Sequence, residues 1–416
     1  MKRAITLVVW VAALTLAVPS AAREGAKIKV LHTFGSAKDG TFPSGPLLEN
    51  HGSLYGTTNG GGGFGCEGYG CGTVFRLAQK ADGRWSKKDL HDFSDNGDGA
   101  RPVGNLVLDA AGNIYGTLAG LQPVQTALFQ LTPGPKGWSS ALIYTDATGP
   151  GLLIDKVGNL YGGMGRGQYK YGAIAELSPG SGGWNYAELY SFCSPHGQCP
   201  DGYDLAGPLV RDEKGNMFGA AVYGGVQVGC WISFGCGLVF EMTPNGDGTW
   251  TYDVLYRFLQ PSTKDGQTPS GGLVMDASGN LYGTTGAGGV HNNGTVFELA
   301  FTGGHWRKTV LYDFPQYCDN GCGPGGNLAL DKAGNLYGAN GGGNGSCSGG
   351  TYFCGMIYKL APQKNGSWKY SSVYKFNGTD GFGPNGVTLD SKGNIYGTTV
   401  WGGAYNFGVA FEITVH

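Results

Sequence analysis

Charged residues are scarce in this chain, and so are long hydrophobic runs. Of its 416 residues only 14% are charged, with 28 Lys and Arg against 30 Asp and Glu, and no basic run resembles a nucleic-acid-binding surface. The uncharged stretch 4–18 is shorter than the roughly 20 residues that span a bilayer, and no second stretch of that length follows. We therefore expect no nucleic-acid partner and no membrane span in the mature chain.

Standard catalytic signatures are also missing. The sequence contains no Gly-x-Ser-x-Gly elbow, no His-Glu-x-x-His motif and no phosphate-binding Gly-x-x-x-x-Gly-Lys-(Ser/Thr) loop. Asp92, Asp95 and Asp98 form the best calcium-like cluster, but it lacks the EF-hand pattern and is interpreted as a solvated turn. No cofactor is predicted, with calcium as the alternative.

The first residues follow the pattern of a secretory signal peptide. Lys2 and Arg3 precede the uncharged stretch, and a Ser-Ala-Ala sequence at 20–22 offers a cleavage site. We predict a signal peptide over residues 1–22 and a single domain over 23–416, located in the periplasm or outside the cell. A retained membrane anchor is the alternative.

Cysteines agree with export, because an even number in a secreted chain indicates disulfides. The ten cysteines form five close pairs, which we predict to be bonded locally: Cys66 with Cys71, Cys193 with Cys199, Cys230 with Cys236, Cys318 with Cys322, and Cys347 with Cys354. Metal ligation by cysteines of different pairs is the alternative.

Glycine is abundant, with 80 residues, and it belongs to a repeat. Seven copies of a phrase close to Gly-Asn-(Leu/Ile/Met)-(Tyr/Phe)-Gly stand 46 to 64 residues apart, with their aromatic residues at Tyr55, Tyr115, Tyr161, Phe218, Tyr282, Tyr337 and Tyr396. Each repeat reads as four short strands, the fourth of which begins at a tryptophan. A repeat of this length and composition predicts a blade of a β-propeller.

The two ends of the chain predict how the ring closes. The seventh repeat stops after its third strand, whereas residues 27–34 form a fourth strand without a repeat of its own. If this strand pairs into the last blade, it removes the exposed sheet edge and closes seven blades. We therefore predict an all-β, seven-bladed propeller of four-stranded blades. A right-handed solenoid is the alternative.

The repeats resemble those of the GloVer-containing proteins, which carry Gly-Asn-Leu-Tyr-Gly-Thr-Thr followed by Gly-Gly and Gly-Thr-Val-Phe. The cleanest copy runs from Gly279 to Phe297. The resemblance extends over essentially the whole mature chain and implies an exported bacterial protein. It implies no particular activity.

Loop lengths predict which face of the propeller carries function. Loops between strands one and two, and between three and four, share one face and are short. Loops between strands two and three share the other face with the links between blades, and they are long and contain the cysteines. Because binding groups tend to lie on loops that a rigid scaffold holds, we place the candidate site on this long-loop face.

Two sets of residues on that face are candidates. The first is an Asp-Gly dipeptide in the links between blades, which could form an acidic ring or supply an acid and base pair, or could simply be a shared turn. Its aspartates are Asp39, Asp98, Asp201, Asp265 and Asp380.

The second set is aromatic and lies in or beside the loops between strands two and three. Its members are Phe64, Tyr69, Tyr169, Tyr171, Trp231, Phe234, Tyr352, Phe353, Trp401 and Tyr405. Such rings suit stacking on sugars or partner side chains, or they pack over the loops. The repeat tryptophans, by contrast, are predicted between blades: Trp85, Trp138, Trp184, Trp250, Trp306 and Trp368.

These patterns support two hypotheses. The leading one is a monomeric exported propeller that binds a glycan or a protein through its long-loop face, without catalysis. The alternative is a secreted glycoside hydrolase or polysaccharide lyase, with catalytic residues drawn from Asp98, Asp201, Asp265 and Asp380.

Overall fold

A computed structural model shows seven antiparallel sheets arranged as the blades of a propeller. It describes residues 26–35, 38–63, 65–94, 97–120, 126–193, 199–225, 230, 234–259, 264–317, 323–342, 346–347 and 352–415. The predicted signal peptide and the predicted Cys318/Cys322 pair lie outside these residues.

Blades 1 to 6 have their strands in chain order, with the first strand of blade 4 in two pieces, and blade 7 has β1 as its fourth strand. Blade 1 has β2 (Thr41–Asn50), β3 (Ser53–Gly60), β4 (Thr73–Gln79) and β5 (Trp85–Asp92); blade 2 has β6 (Pro102–Leu108), β7 (Ile114–Leu118), β8 (Ala127–Gly134) and β9 (Gly137–Thr145); blade 3 has β10 (Ala147–Ile154), β11 (Leu160–Met164), β12 (Ala173–Gly180) and β13 (Gly183–Ser191); blade 4 has β14 (Tyr203–Leu205), β15 (Val210–Arg211), β16 (Met217–Tyr223), β17 (Leu238–Pro244) and β18 (Trp250–Arg257); blade 5 has β19 (Gly266–Met275), β20 (Leu281–Gly288), β21 (Thr295–Thr302) and β22 (His305–Asp313); blade 6 has β23 (Pro324–Leu330), β24 (Leu336–Asn340), β27 (Met356–Pro362) and β28 (Trp368–Lys375); blade 7 has β29 (Phe382–Leu389), β30 (Ile395–Trp401), β31 (Val409–Thr414) and β1 (Lys27–Thr33). A 3₁₀ turn (Cys66–Gly68) and a two-stranded ribbon, β25 (Ser346–Cys347) with β26 (Tyr352–Phe353), lie in loops.

Side chains of the repeated sequence motif form hydrogen bonds that stabilise the turn between the first two strands. In blade 2, Asp109 Oδ1 accepts hydrogen bonds from the N–H groups of Ala111 and Asn113, and its Oδ2 accepts from Asn113 Nδ2 and Tyr115 Oη. The same pair of backbone bonds recurs in blades 3 to 7. Burial raises the pKa of the equivalent Tyr161 to about 12, so it stays a donor at neutral pH.

The ring closes as predicted. Strand β1 pairs antiparallel with β31, from Lys27 opposite Thr414 to Thr33 opposite Val409. The N–H of Phe34 then donates to Gly408 O at 3.0 Å. This pairing completes the seventh blade and rules out the solenoid alternative.

First strands of neighbouring blades approach closely around the central channel. A Cβ on Gly104 (φ +74°) would stand 1.5 Å from Pro150 O, and one on Gly45 would stand 2.0 Å from Gly104 O. Only glycine fits such contacts. The side chain of Asn105 forms two hydrogen bonds to blade 3: it donates to Leu152 O at 3.0 Å and accepts from Leu152 N at 2.9 Å.

The hydrophobic core lies between the blades. Five tryptophans pack edge-to-face on the strand-two aromatic of the preceding blade, with ring centroids 5.6–6.4 Å apart: Trp85, Trp184, Trp250, Trp306 and Trp368. The predicted inter-blade position of these side chains is confirmed. Among the described residues, no helix is long and apolar enough to cross a membrane.

Candidate functional site

The Asp-Gly carboxylates each hold their own loop. Every one accepts a backbone N–H from the loop that follows strand four, at 2.9–3.1 Å, and a hydrogen bond from a His or Tyr near the end of that strand. The five carboxylates belong to Asp39, Asp98, Asp201, Asp265 and Asp380. Within the described residues no hydrogen bond or ion pair joins two of them. A catalytic role for pairs of these groups stays a prediction.

Two of these carboxylates also neutralise buried lysines. Lys87 and Lys308 lie two residues after the tryptophan of their strands, and both side chains are 4% exposed. Lys87 Nζ lies 3.1 Å from Asp39 Oδ1, and Lys308 forms an ion pair with Asp265. Burial opposes ionisation of Asp39, but His32 and Lys87 outweigh it and lower the pKa of its carboxyl. Burial lowers the pKa of Lys308, although the negative charge of Asp265 acts to raise it.

We call the contact between two neighbouring blades a seam and name it by the numbers of those blades. Five seams are closed by one type of backbone hydrogen bond. The donor is the third residue after the loop Asp or Asn, it has φ between +50° and +67°, and it lies 2.7–3.2 Å from a carbonyl in the preceding blade. These bonds run from Phe42 to Phe407, Arg101 to Cys71, Thr268 to Cys236, Gly323 to Asn293, and Gly383 to Cys354.

A proline follows each of these donors and packs on a glycine of the preceding blade. A Cβ on that glycine would stand 2.4–2.8 Å from the proline Cδ. In seam 4/5, for example, a Cβ on Gly237 would stand 2.4 Å from Pro269 Cδ. The hydrogen bond and the proline together join the two blades on the long-loop side of these seams.

Seam 3/4 lacks both features. Its link reads Asp201-Gly202-Tyr203-Asp204-Leu205, so leucine stands where the links of the five closed seams have proline. Asp204 has the left-handed backbone (φ +62°), but among the described residues its N–H makes no bond to blade 3. A cleft of about 280 Å³ opens here on the long-loop face.

The cleft combines aromatic walls with charged groups of both signs. It is lined by Arg166, Lys170 and Tyr171 from blade 3 and by Tyr203 and Asp204 from blade 4, above the buried Phe192. Although Asp204 as a residue is exposed, the cleft withdraws its carboxyl from water, and this burial raises its pKa. Arg166 Nε lies 3.6 Å from Asp146 Oδ2.

Aromatic side chains extend from the cleft across blade 4. The ring centroids of Tyr171 and Tyr203 are 5.8 Å apart, those of Tyr203 and Tyr223 are 5.2 Å apart, and those of Tyr223 and Phe234 are 6.0 Å apart. We call these four residues the aromatic row. Tyr171 is 40% exposed and Phe234 is 61% exposed, so the row presents ring surface to solvent at both ends.

A second aromatic group lies at seam 7/1. The ring of Trp401 packs edge-to-face on Phe42 and stacks on Phe382, with ring centroids 4.5 Å and 6.3 Å apart, yet Trp401 is 41% exposed. Tyr405 is 61% exposed and covers Gly35, where a Cβ would stand 2.5 Å from its Cδ2. This group is tied to its loop more firmly than the aromatic row.

The other predicted contact residues are dispersed. Tyr69 is 79% exposed beside the 3₁₀ turn of blade 1, and Tyr169 is half-buried in the loop of blade 3. Phe64, Trp231 and the side chain of Tyr352 lie outside the described residues. Ligand contact by all of these residues stays a prediction.

Disulfides brace the long loops as predicted. Bonds join Cys66 to Cys71, Cys193 to Cys199 and Cys230 to Cys236, and Cys354 is also disulfide-bonded. The side chain of Cys347 lies outside the described residues. Cys71, Cys236 and Cys354 supply the acceptor carbonyls of three seams. Asp95 of the calcium-like cluster lies outside the described residues. The described residues contain no group of three or more His, Cys, Asp or Glu side chains that could hold a metal ion.

A larger groove, of about 640 Å³, lies between blades 3 and 4 on the short-turn face. Its walls are two copies of the repeat turn, and it contains no aromatic side chain. The carboxylates of Asp155 and Asp212 are already used within those turns, and Arg211 pairs with Asp155 at 3.3 Å. We therefore place the candidate site in the smaller cleft.

Sequence analysis did not identify Arg166, Lys170, Tyr203, Asp204 or Tyr223. One signal was present in the sequence, because the link before blade 4 breaks the Asp-Gly-x-x-Pro pattern at Leu205. The convergence of side chains from two blades could not be read from it.

One of three similar solved structures supports the fold. At 14% identity, a structure assigned as a 6-phosphogluconolactonase of Bacteroides fragilis aligns with 84% of this chain and 88% of its own, with a TM-score of 0.51. A structure assigned as an oxidoreductase (glucose dehydrogenase) of Thermus thermophilus aligns at 14% identity over 94% of this chain and 100% of its own, with a TM-score of 0.42. A protein of unknown function from Dyadobacter fermentans aligns at 11% identity over the same shares, with a TM-score of 0.43.

No curated protein matches the chain. Residues 18–162 match the family described as the Gloeobacter/Verrucomicrobia repeat. The chain therefore carries this repeat over those residues, on a seven-bladed propeller.

Proposed function

We propose that this protein is an exported binding protein that holds a glycan on its long-loop face, without catalysis. One observation carries the proposal. Of the eight exposed aromatic side chains among the described residues, six lie in or beside the loops of that face: Tyr69, Tyr171, Phe234, Tyr317, Trp401 and Tyr405. Disulfides support a location outside the cytoplasm, since they persist in oxidising compartments.

A glycan suits this surface better than a protein does. The aromatic row is one ring wide and begins at a cleft of about 280 Å³, just below the roughly 300 Å³ at which sites for drug-sized ligands begin. A stable protein interface needs about 800 Å² of well-packed surface on each partner. Flat rings beside a small polar cleft match the alternating apolar faces and hydroxyl edges of a sugar chain.

The test compares two equally exposed phenylalanines. Phe234 lies in the aromatic row, and Phe301 lies at the short-turn end of β21, the third strand of blade 5; each is 61% exposed. We expect Phe234→Ala to weaken glycan binding about tenfold, which equals roughly 1.4 kcal/mol and lies within the range of one aromatic contact. Phe301→Ala should bind as the wild type does. Retention on a polysaccharide panel, followed by titration calorimetry, measures both.

Two results would contradict the proposal. If no polysaccharide is retained while a protein partner is, the long-loop face is a protein-binding surface. If the polysaccharide is cleaved, the hydrolase or lyase hypothesis gains, and Asp-to-Asn variants at positions 98, 201, 265 and 380 would then show which carboxyl acts.

A further inference from the structure

The charges of the cleft at seam 3/4 narrow the class of sugar that it fits. Among the described residues Lys170 has no ion-pair partner, and Arg166 has a single carboxylate at 3.6 Å while its side chain stays 62% exposed. Both cations line the cleft with Asp204, whose carboxyl accepts no hydrogen bond within the described residues. The Lys170 ammonium and the largely exposed Arg166 guanidinium, on one wall, can both contact an anionic group of a ligand.

The position of Asp204 gives the second requirement. Its carboxyl lines the cleft, at a link position where three other blades have left-handed residues other than glycine (Phe42, Arg101 and Thr268) and two have glycine (Gly323 and Gly383). Glycine would relieve the strain at this position, so Asp204 costs the fold some stability. A carboxylate accepts hydrogen bonds from two adjacent hydroxyl groups, which are the groups that a pyranose ring presents.

The size and walls of the cleft give the third requirement. About 280 Å³ accommodates one sugar ring, and Tyr171 and Tyr203 are the rings that can stack against it. The rest of a chain would then continue along Tyr223 toward Phe234. The opening at seam 3/4 is therefore suited to one residue of a longer saccharide.

We propose that this cleft binds a uronic acid residue of an acidic polysaccharide. Lys170 and Arg166 bind the carboxylate of the sugar. Asp204 accepts hydrogen bonds from the hydroxyl groups of the sugar, and Tyr171 and Tyr203 pack on its ring. This inference rests on the proposed glycan-binding function and goes further by naming the acidic class.

The experiment uses polygalacturonate and alginate oligosaccharides, each beside its carboxyl-reduced, neutral form. We expect the acidic forms to bind at least tenfold more tightly than the reduced forms at low salt. The difference should shrink as salt rises, because ions screen exposed charges. The double variant R166A/K170A should bind both forms equally, whereas Lys156→Ala on the short-turn face should keep the preference.

A second variant guards against misfolding. Asp204→Gly introduces the glycine that two of the other links have, so it should fold at least as stably as the wild type while binding the acidic oligosaccharides several-fold more weakly. Its melting temperature is the control.

The possible outcomes separate the two proposals. Equal binding of the acidic and reduced forms by the wild type overturns the acidic class and leaves the glycan proposal standing. A preference that survives R166A/K170A places the acidic site outside this cleft and overturns the inference. If none of the oligosaccharides binds, and neither does any member of the neutral polysaccharide panel, both proposals fail.

Discussion

Seams 3/4 and 4/5 flank the same blade and use the same repeat, yet one is open and the other is closed. At seam 4/5 the N–H of Thr268 bonds to Cys236 O at 2.9 Å, Pro269 covers Gly237, and Lys308 pairs with Asp265 beneath the link. At seam 3/4 Asp204 and Leu205 provide neither the bond nor the proline, and stacked Tyr190 and Tyr252 take the place of an ion pair. The propeller therefore tolerates a seam without these two contacts, because the five closed seams and the strand closure hold the ring.

The largest effect is expected where the closed seam buries its charges. Lys308→Met keeps most of the packing but leaves Asp265 as an unpaired carboxylate, 7% exposed. Breaking a buried pair in this way costs about 3–5 kcal/mol. Urea denaturation should show this loss, and adding Asp265→Asn to the same chain should recover most of it. Wild-type stability in the single variant would contradict a role for this pair in closing the seam.

A smaller loss of stability is expected on substitution of the glycines that directly precede the third strands. Gly237→Ala meets the ring of Pro269 in addition to its positive φ of +86°, so we expect a loss of about 3 kcal/mol from strain and overpacking. Gly172 has φ +95° but lines the cleft, and Gly172→Ala should cost only about 1–2 kcal/mol, from strain alone. Equal losses in thermal unfolding would mean that seam 3/4 is as closed as seam 4/5.

The smallest effect is a difference in pH dependence between two carboxyls. The pKa of Asp39 lies below its ordinary value of 3.8 and that of Asp204 lies above it. Asp39 therefore adds stability above pH 3.8 that is lost as the pH falls through its folded pKa, whereas Asp204 reduces stability as the pH rises above 3.8.

Relative to the wild type, Asp39→Asn should thus be less stable and Asp204→Asn more stable at pH 7. The difference for Asp204 should disappear toward pH 3, whereas the difference for Asp39 should shrink there and disappear only below its folded pKa. Urea denaturation at pH 3, 5 and 7 measures them, and a loss of stability in Asp204→Asn at pH 7 would disprove the assignment for seam 3/4.

The repeat made most of the fold predictable. Tyr115 and its equivalents marked strand two because an Asp-Asn-Tyr turn needs those side chains, and residues 27–34 marked the closing strand because they have no repeat of their own. The seven blades, the closure and the positions of the tryptophans followed from these patterns.

The candidate site was predictable only in outline. Loop lengths indicated the face, and Tyr171 and Phe234 were named as candidates. The cleft depends on Tyr203 and Asp204, which belong to a different blade from Arg166 and Lys170, and no local pattern brings residues of two blades together. The missing proline at Leu205 was a visible signal, but its meaning depends on the contact between Pro269 and Gly237 in the closed seam.

Amide hydrogen exchange measured by NMR tests the difference between the seams most directly. We predict slow exchange at the N–H groups of Phe42, Arg101 and Thr268, which donate across closed seams, and much faster exchange at Asp204. Added acidic oligosaccharide should slow exchange in residues 166–173 and 203–205 and leave seam 4/5 unchanged. Protection of Asp204 equal to that of Thr268 in the free protein, or ligand protection confined to another seam, would contradict the account.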